Sequence, residues 1–412
     1  MNPVSARLLA QQLICPQFTS PHDVVEWMGA VQGQEYRLMR WAVAMRTRKP
    51  SAAAFEREYN EGRIVRGHLF RTTWQLVAGE DWCWMLELCR TNALRGLAGW
   101  MKSNGVVIPR AEQDRVQQIF SDWLESRGGS SGGSAPASAA GAVGGGGAVV
   151  SAAGAAGWAT ARKADFAAAV AERGLAMDDQ RLSYHIRLAE YSGHLCSGDL
   201  LPLKPSYALV SAKLPGRRSL PREEALALLA LKYFRSHGPA TLEDFVWWSG
   251  LGVGDCRIGL EAIREDLVSD RWKGLTFWRH RDSRTRGMRS GTVTLLPSYD
   301  EYLIGYKSRH VALDPDLSHR AHNNTGNFWP VVLLDGQVIG NWSLPAGNTG
   351  GSSPSPSSSS GSCPGSGSSS SPFSNPGRGG QPRIDLFDSG ITCGDEALSR
   401  EIARYKKFLT AR

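Results

Sequence analysis

Apolar positions in the first eighty residues recur mainly at the three-to-four spacing of amphipathic helices, then switch to the alternation expected of strands. The pattern predicts helices over Arg7 to Leu13, Pro21 to Met28 and Leu38 to Met45, and a further one from Ala52 to Glu61 that stops at Gly62. Ser20 stands where an N-cap belongs, with Asp23 three residues later as a weak capping box. Ile64 to Val77 is rich in β-branched and aromatic residues and reads as paired strands. Helices followed by a two-stranded wing describe a winged helix, here residues 1–80. Arg63, Arg66 and Arg71 alternate with apolar positions, so the wing is expected to set cations against a phosphate backbone while its other face joins the core.

The same alternation of helices and short wings recurs. Residues 81–215 carry helical patterns at Trp82 to Met101, Ala111 to Ser126, Lys163 to Arg173 and Asp178 to Ser192, then a short wing at Gly193 to Leu200. Residues 216–285 open with a long helix from Pro221 to Gly238. Thr241 caps the next, which runs to Leu251, and after a glycine turn Asp255 to Asp266 follows in a helix-turn-helix arrangement. Residues 286–412 change character: Gly291 to Leu296, Trp329 to Trp342 and Pro382 to Phe387 read as strands, Asp335-Gly336 marks a hairpin turn, and Asp395 to Leu409 closes the chain as a helix. The expected fold is therefore mainly α with small β elements, three tandem winged-helix units followed by a β-rich C-terminal domain.

Two stretches, 128–157 and 346–381, consist mostly of Gly, Ala, Ser and Pro and are nearly devoid of charge. Such segments cannot bury enough apolar surface to offset their ordering entropy and are expected to be disordered insertions. One interrupts the second unit and the other a hairpin of the C-terminal domain.

Composition narrows the function classes. A chain of 412 residues with 42% hydrophobic residues suits several globular domains, and a formal net charge of +8 favours a polyanionic partner. Seven scattered cysteines with no C-x-x-C pair suggest reduced thiols and an intracellular protein. His319 and His322 lack acidic or thiol companions, so no metal is expected, and nothing calls for a cofactor. No window supplies the roughly 18 apolar residues of a membrane span. Met1 to Ser20 is poor in acids, as transit peptides are, but Ala6 to Leu13 already reads as the first helix.

The candidate chemistry lies at Ala30-Val31-Gln32-Gly33-Gln34-Glu35-Tyr36. Side chains two residues apart point about 200° apart on a helix but to one side of an extended segment. Gln32 and Gln34 therefore converge only if the preceding helix has ended, which Gly29 and Gly33 favour. Asp300 and Glu301 resemble a catalytic carboxylate pair, yet adjacent acids at the end of a strand more often cap or pair. Trp247 and Trp248 are candidates for base stacking, with one of them expected in the core.

Three stretches together resemble a known family. They are Arg7 to Leu13 with Glu26 to Tyr36, Gly62 to Arg66 with Thr73-Trp74, and Leu295-Leu296-Pro297-Ser298-Tyr299-Asp300-Glu301-Tyr302-Leu303-Ile304-Gly305-Tyr306-Lys307. The resemblance is to the winged-helix DNA-binding-domain proteins related to AlkZ and YcaQ, bacterial DNA glycosylases that excise alkylated bases and unhook interstrand crosslinks. It implies that the glutamine, aliphatic, glutamine motif of that family falls on Gln32, Gly33 and Gln34, with Gly33 departing from the aliphatic residue. It also implies a C-shaped arrangement with a small β-barrel and a basic channel for duplex DNA. A monofunctional glycosylase acting as a monomer is expected, nuclear or organellar if the insertions mark a eukaryotic version and cytoplasmic if bacterial. The alternative from another class is a non-catalytic winged-helix protein that binds duplex DNA.

Overall fold

A computed structural model describes residues 3–128, 157–202, 204–216, 218–323, 325–344, 382–388 and 394–411. The two low-complexity insertions lie outside the described residues, apart from Gly128 and Gly157 at the ends of the first.

The N-terminal unit comprises α1 (Pro3–Ala10), α2 (Pro21–Met28), β1 (Val31–Gln32), α3 (Met39–Ala44), α4 (Ala52–Asn60), β2 (Ile64–His68) and β3 (Trp74–Ala78). Ser20 caps α2 by accepting from the Asp23 N–H at 3.3 Å, and Ser51 caps α4 by accepting from the Ala54 N–H at 3.1 Å. The three strands form one antiparallel sheet in the order β1-β3-β2. The paired strands expected over Ile64 to Val77 are the β2–β3 hairpin, and the sequence pattern did not reveal the two-residue strand that joins its other edge.

A second set follows: α5 (Trp82–Ser103), α6 (Arg110–Gly128), β4 (Ala161–Arg162), α7 (Lys163–Glu172), α8 (Asp179–Tyr191), β5 (Leu195–Ser197), β6 (Ser206–Leu209) and α9 (Val210–Lys213). A third comprises α10 (Arg222–Ser236), α11 (Leu242–Ser249), α12 (Val253–Ala262) and the ribbon of β7 (Leu267–Trp272) and β8 (Leu275–His280). The capping box at the start of α11 is complete, because Thr241 Oγ1 accepts from the Asp244 N–H at 3.1 Å and Asp244 returns an oxygen to the Thr241 N–H at 3.0 Å. Indoles, tyrosines and leucines of α5, α10 and α11 merge with Val65 and Val77 of the first sheet and Phe70 of its hairpin turn into one core.

The C-terminal part carries β9 (Val293–Leu296), α13 (Glu301–Ile304), α14 (Ser318–Ala321), β10 (Val331–Leu334), β11 (Gln337–Ser343), β12 (Arg383–Leu386) and α15 (Asp395–Thr410). Its strands do not close into the expected small barrel. They form an open antiparallel sheet in the order β12-β11-β10-β9. Closure would need β9 to pair with β12, but apolar side chains of α15 and the N-terminal segment cover the sheet instead: Tyr405, Phe408, Leu8, Leu9 and Trp41 pack with Leu295, Leu333 and Trp342. The first helix and the last part of the chain therefore share a core, which places the Leu295 to Lys307 segment beside Gln32.

Candidate active site

Gly29 ends α2 at φ 76°, where its N–H donates to the Glu26 carbonyl at 3.2 Å. The left-handed turn needs glycine, and so does the crowding, since a Cβ there would stand 3.1 Å from Lys232 Cβ. Beyond it the chain is extended, with Val31 opposite Leu76 and Gln32 opposite Gln75 in the sheet, and the Gly33 N–H donates to the Trp74 carbonyl at 2.8 Å.

This pairing brings both amides to one short run of β3 and the turn before it. The buried Gln32 Oε1 accepts from Gln75 Nε2 at 2.8 Å and from Thr73 Oγ1 at 3.3 Å. Gln34, exposed at the surface, places its Oε1 3.5 Å from the Trp74 N–H. The two glutamines differ in kind: one is fixed from behind by two donors, and the other stands open to solvent and lightly held.

Behind the strand lies a carboxylate. Glu301, wholly buried, accepts the Gln32 backbone N–H on Oε1 at 2.7 Å, and its Oε2 accepts from Trp248 Nε1 at 3.1 Å and sits 3.3 Å from His237 Nε2. Burial lowers the His237 imidazole below its ordinary value, against the pull of Glu301. Neighbouring Asp300 caps α13 by accepting the Tyr302 N–H at 2.9 Å and receives a bidentate Arg46 at 2.9 and 2.8 Å. Asp300 is thus structural. Glu301 is not part of a strand-to-loop transition, as the sequence suggested, but begins a one-turn helix aimed at the candidate site.

The three arginines expected on phosphates separate. Arg66 is buried: its Nε donates to the Gly33 carbonyl at 2.8 Å, and its guanidinium lies 3.8 Å from the Trp74 ring centre and 5.2 Å from that of Tyr36. It clamps the backbone between the glutamines. Arg63 is exposed but already paired, to Glu58 at 2.6 Å and Glu61 at 3.4 Å. Arg71 sits at the hairpin tip with φ 56°, donates Nη1 to the Ile304 carbonyl at 3.3 Å, and is held below its ordinary pKa by burial, with Glu301 acting in the opposite sense. Of the two tryptophans, Trp248 is 1% exposed and belongs to the core, whereas Trp247 is 40% exposed beside Arg71.

Sequence reasoning missed Glu301 as a partner of Gln32, the backing pair Thr73 and Gln75, and Arg309 beside Trp247. The adjacency of two acids in the Asp300 segment was the one signal that pointed toward Glu301. His322 stacks on Phe328, and no cluster of three or more His, Cys, Asp or Glu suited to a metal occurs among the described residues. No helix among them is long and apolar enough to cross a membrane.

The fold and site define a mainly helical protein with small antiparallel sheets, whose candidate centre is a pair of amides on a sheet edge backed by a buried carboxylate. The family model described as AlkZ-like DNA glycosylase matches residues 25–359, and the chain belongs to that family. It is 26% identical over 168 residues to the interstrand DNA cross-link repair glycosylase of Streptomyces sahachiroi, an alignment covering 37% of this chain and 44% of the relative, less than half its length. The solved structure of Streptomyces sahachiroi DNA glycosylase AlkZ has the same fold, with a TM-score of 0.67 at 17% identity over 98% of this chain and 95% of that one.

Proposed function

We propose that the chain is a monofunctional DNA glycosylase that hydrolyses the N-glycosidic bond of alkylated purines of the N7-alkylguanine type in duplex DNA, and that it unhooks interstrand crosslinks built on such bases. The observation that carries this reading is the placement of Gln32 and Gln34 on one three-residue run, Thr73 to Gln75, with Gln32 immobilised and Gln34 open. Family membership and the cross-link repair activity for which the Streptomyces sahachiroi relative is named point the same way.

The chemistry suits amides. Loss of the base leaves an oxocarbenium-like sugar, which needs negative potential and a placed water. A neutral amide accepts no proton near pH 7, so the leaving group must depart unaided. A guanine alkylated at N7 already carries positive charge and leaves neutral. Gln34, exposed, orients the water. Gln32, its Oε1 engaged by Gln75 and Thr73 and its N–H by Glu301, fixes the frame in which Gln34 and the sugar meet.

In the same reading the three helix-and-ribbon units are winged helices around a duplex, over 1–80, 81–215 and 216–285, with 286–412 as the C-terminal domain. The enzyme acts as an intracellular monomer. The non-catalytic alternative draws on Gly33, a residue without the side chain expected between the glutamines. Against it, the Arg66 bond to the Gly33 carbonyl supplies the rigidity that glycine lacks.

Incubation with a duplex carrying one N7-alkylguanine tests the proposal. The expected product is an abasic site that breaks only on alkali treatment. Intact strand at all times, with normal duplex binding, would leave the non-catalytic reading.

A further inference from the structure

The tip of the β2–β3 hairpin holds two consecutive non-glycine residues in the left-handed region, Arg71 at φ 56° and Thr72 at φ 60°. Such backbone is costly for a residue with a side chain and persists where the surroundings over-determine it. Here Gly250, itself at φ 64° as the C-cap of α11, lies so close that a Cβ on it would stand 3.1 Å from both the Arg71 nitrogen and Cγ. Arg71 therefore has its backbone directly against the C-cap of α11. Its Nε and Nη2 are buried and find no acceptor among the described residues.

A second guanidinium meets the same surface. Arg309 Cζ lies 5.6 Å from the Trp247 ring centre and Arg71 Cζ lies 5.8 Å from it, while Arg309 Nε is also buried without an acceptor among the described residues. Burial, and after it the charge of Arg71, push Arg309 down to about 10. The nearby carboxylates are occupied elsewhere: Glu301 accepts from Gln32 and Trp248, and Asp244 from Thr241, Lys307 and Ser308. Neither makes an ion pair with Arg71 or Arg309 among the described residues. Two cations against one indole, with three unanswered N–H donors between them, suit an anion.

The neighbourhood says which anion. Thr73, two residues beyond Arg71, donates to Gln32 Oε1, and the Ile304 carbonyl that receives Arg71 Nη1 at 3.3 Å and Trp247 Nε1 at 3.0 Å ends the helix begun by Glu301. Arg71 therefore sits on the hairpin whose Thr73 reaches Gln32, and it bonds the last carbonyl of the helix whose Glu301 holds the Gln32 N–H. We propose that Arg71 and Arg309, seated on Trp247, form a phosphodiester-binding site that grips the strand carrying the base presented to Gln32 and Gln34. Arginine suits this task because its planar fork can give two parallel bonds to phosphate oxygens. This site rests on the glycosylase reading and deepens it.

The test is a scan of single neutral methylphosphonate linkages placed on either side of the N7-alkylguanine, read as duplex affinity and excision rate. For the wild-type chain, one linkage beside the lesion weakens binding about tenfold, as expected when a charge-assisted bond is lost. For an Arg71→Gln, Arg309→Ala double variant the penalty at that linkage falls below about twofold, while the penalties elsewhere stay as in wild type. Arg71→Lys with Arg309→Lys, which keeps the charges, restores part of the sensitivity and guards against loss of folding as the cause. A double variant with the full wild-type set of penalties overturns the site and leaves the glycosylase reading standing. Absence of excision by the wild-type chain itself removes the reading on which the site rests. An excess of inorganic phosphate that displaces duplex from wild type and double variant alike shows a free-anion effect unrelated to this pair and counts against it.

Discussion

The backbone N–H of Gln32 donates to Glu301 Oε1 at 2.7 Å, joining residues 269 positions apart. The bond sets the height of β1 against β3 and thereby the place of the Gln32 amide. Replacing Glu301 by Gln keeps the volume but turns one acceptor into a donor facing Gln32, Trp248 or His237. A buried donor left unanswered costs about 1–3 kcal/mol, and displacement of the amide by even an ångström slows reaction by about a hundredfold. Urea denaturation should show the first loss and excision by the residual folded protein the second. Full activity in Glu301→Gln at unchanged stability would remove Glu301 from the positioning of the site.

Arg66 and Arg63 should part company in the same assays. Arg66→Ala removes the clamp on the Gly33 carbonyl and the guanidinium stacked on Trp74, so it is expected to lower stability by about 1–3 kcal/mol and to slow excision while leaving the salt dependence of duplex binding unchanged. Arg63→Ala, already paired with Glu58 and Glu61, should change that slope by less than one unit, roughly what a single phosphate contact contributes. A drop of a full unit for Arg66→Ala at normal stability would return it to the DNA surface.

What the sequence shows and what it conceals divide along the length of the interactions. The glycine stop at Gly29, the Thr241–Asp244 capping box and the Asp335-Gly336 hairpin turn, with φ 49° and 80°, are legible because each is decided within a few residues. The fate of Arg66 is not. Alternation along Ile64 to Val77 tells that its side chain faces away from Val65 and Gly67, but not that Trp74 and Tyr36 cover that face. In the same way β1 is too short to carry a strand pattern, and the open C-terminal sheet follows from packing by α1 and α15, which no local signal in β9 to β12 records. Gln32 and Gln34 stood out by spacing; Glu301 required the fold.

The ends of the first insertion meet in space. A Cβ on Gly128 would lie 4.0 Å from the Gly157 carbonyl oxygen and 3.5 Å from the Ala159 nitrogen. Likewise Ser343 pairs with Arg383 across β11 and β12, so the second insertion begins and ends at one hairpin. Replacing 129–156 and 346–381 by short Gly-Ser links should leave unfolding cooperative and change stability by no more than about 2 kcal/mol for each, since closure entropy varies only with the logarithm of loop length. Loss of a cooperative transition, or of duplex binding, would show that these segments contribute more than connection.

Stability should fall on mild acidification. Burial holds His68, His185, His194, His237 and His322 below the ordinary imidazole value of 6.5, so the unfolded chain takes up more protons than the folded one as pH drops below about 7. Their contribution is complete above 6.5 and is lost as pH falls toward the lowered values. His22, raised chiefly by its bond to Glu80, works in the opposite direction, complete below 6.5 and fading as pH rises through its raised value. With five groups against one, melting temperature is expected to decline from pH 7.5 to 5. His194→Gln, which removes an imidazole held 2.8 Å from Ser121 Oγ, should make that decline shallower. A melting temperature that rises over this interval would contradict the assignment.

The glutamines themselves separate enzyme from binding module. If Gln32 fixes the frame of the site and Gln34 holds the water, each alanine substitution should lower excision of N7-alkylguanine by about 10- to 1000-fold, the range for loss of one preorganised polar group. Their stabilities should differ, because Gln32→Ala removes one of the two acceptors of the buried Gln75 amide, leaving Thr73 Oγ1, and costs about 1–2 kcal/mol, whereas exposed Gln34→Ala should stay within about 0.5 kcal/mol of wild type. Gln34→Asp offers a carboxylate in place of a weakly held amide, so it should retain or raise activity. It also introduces a group that titrates. Wild-type rates per folded molecule should be flat from about pH 5.5 to 8, since an amide has no proton to lose or gain there, while those of the Asp variant should fall on acidification toward a carboxylate value near 4. Normalising to folded protein at each pH keeps the histidine-linked loss of stability out of the comparison. Excision by wild type no faster than by the Gln32→Ala, Gln34→Ala double variant would end the mechanism and leave a protein that binds duplex DNA without turning it over.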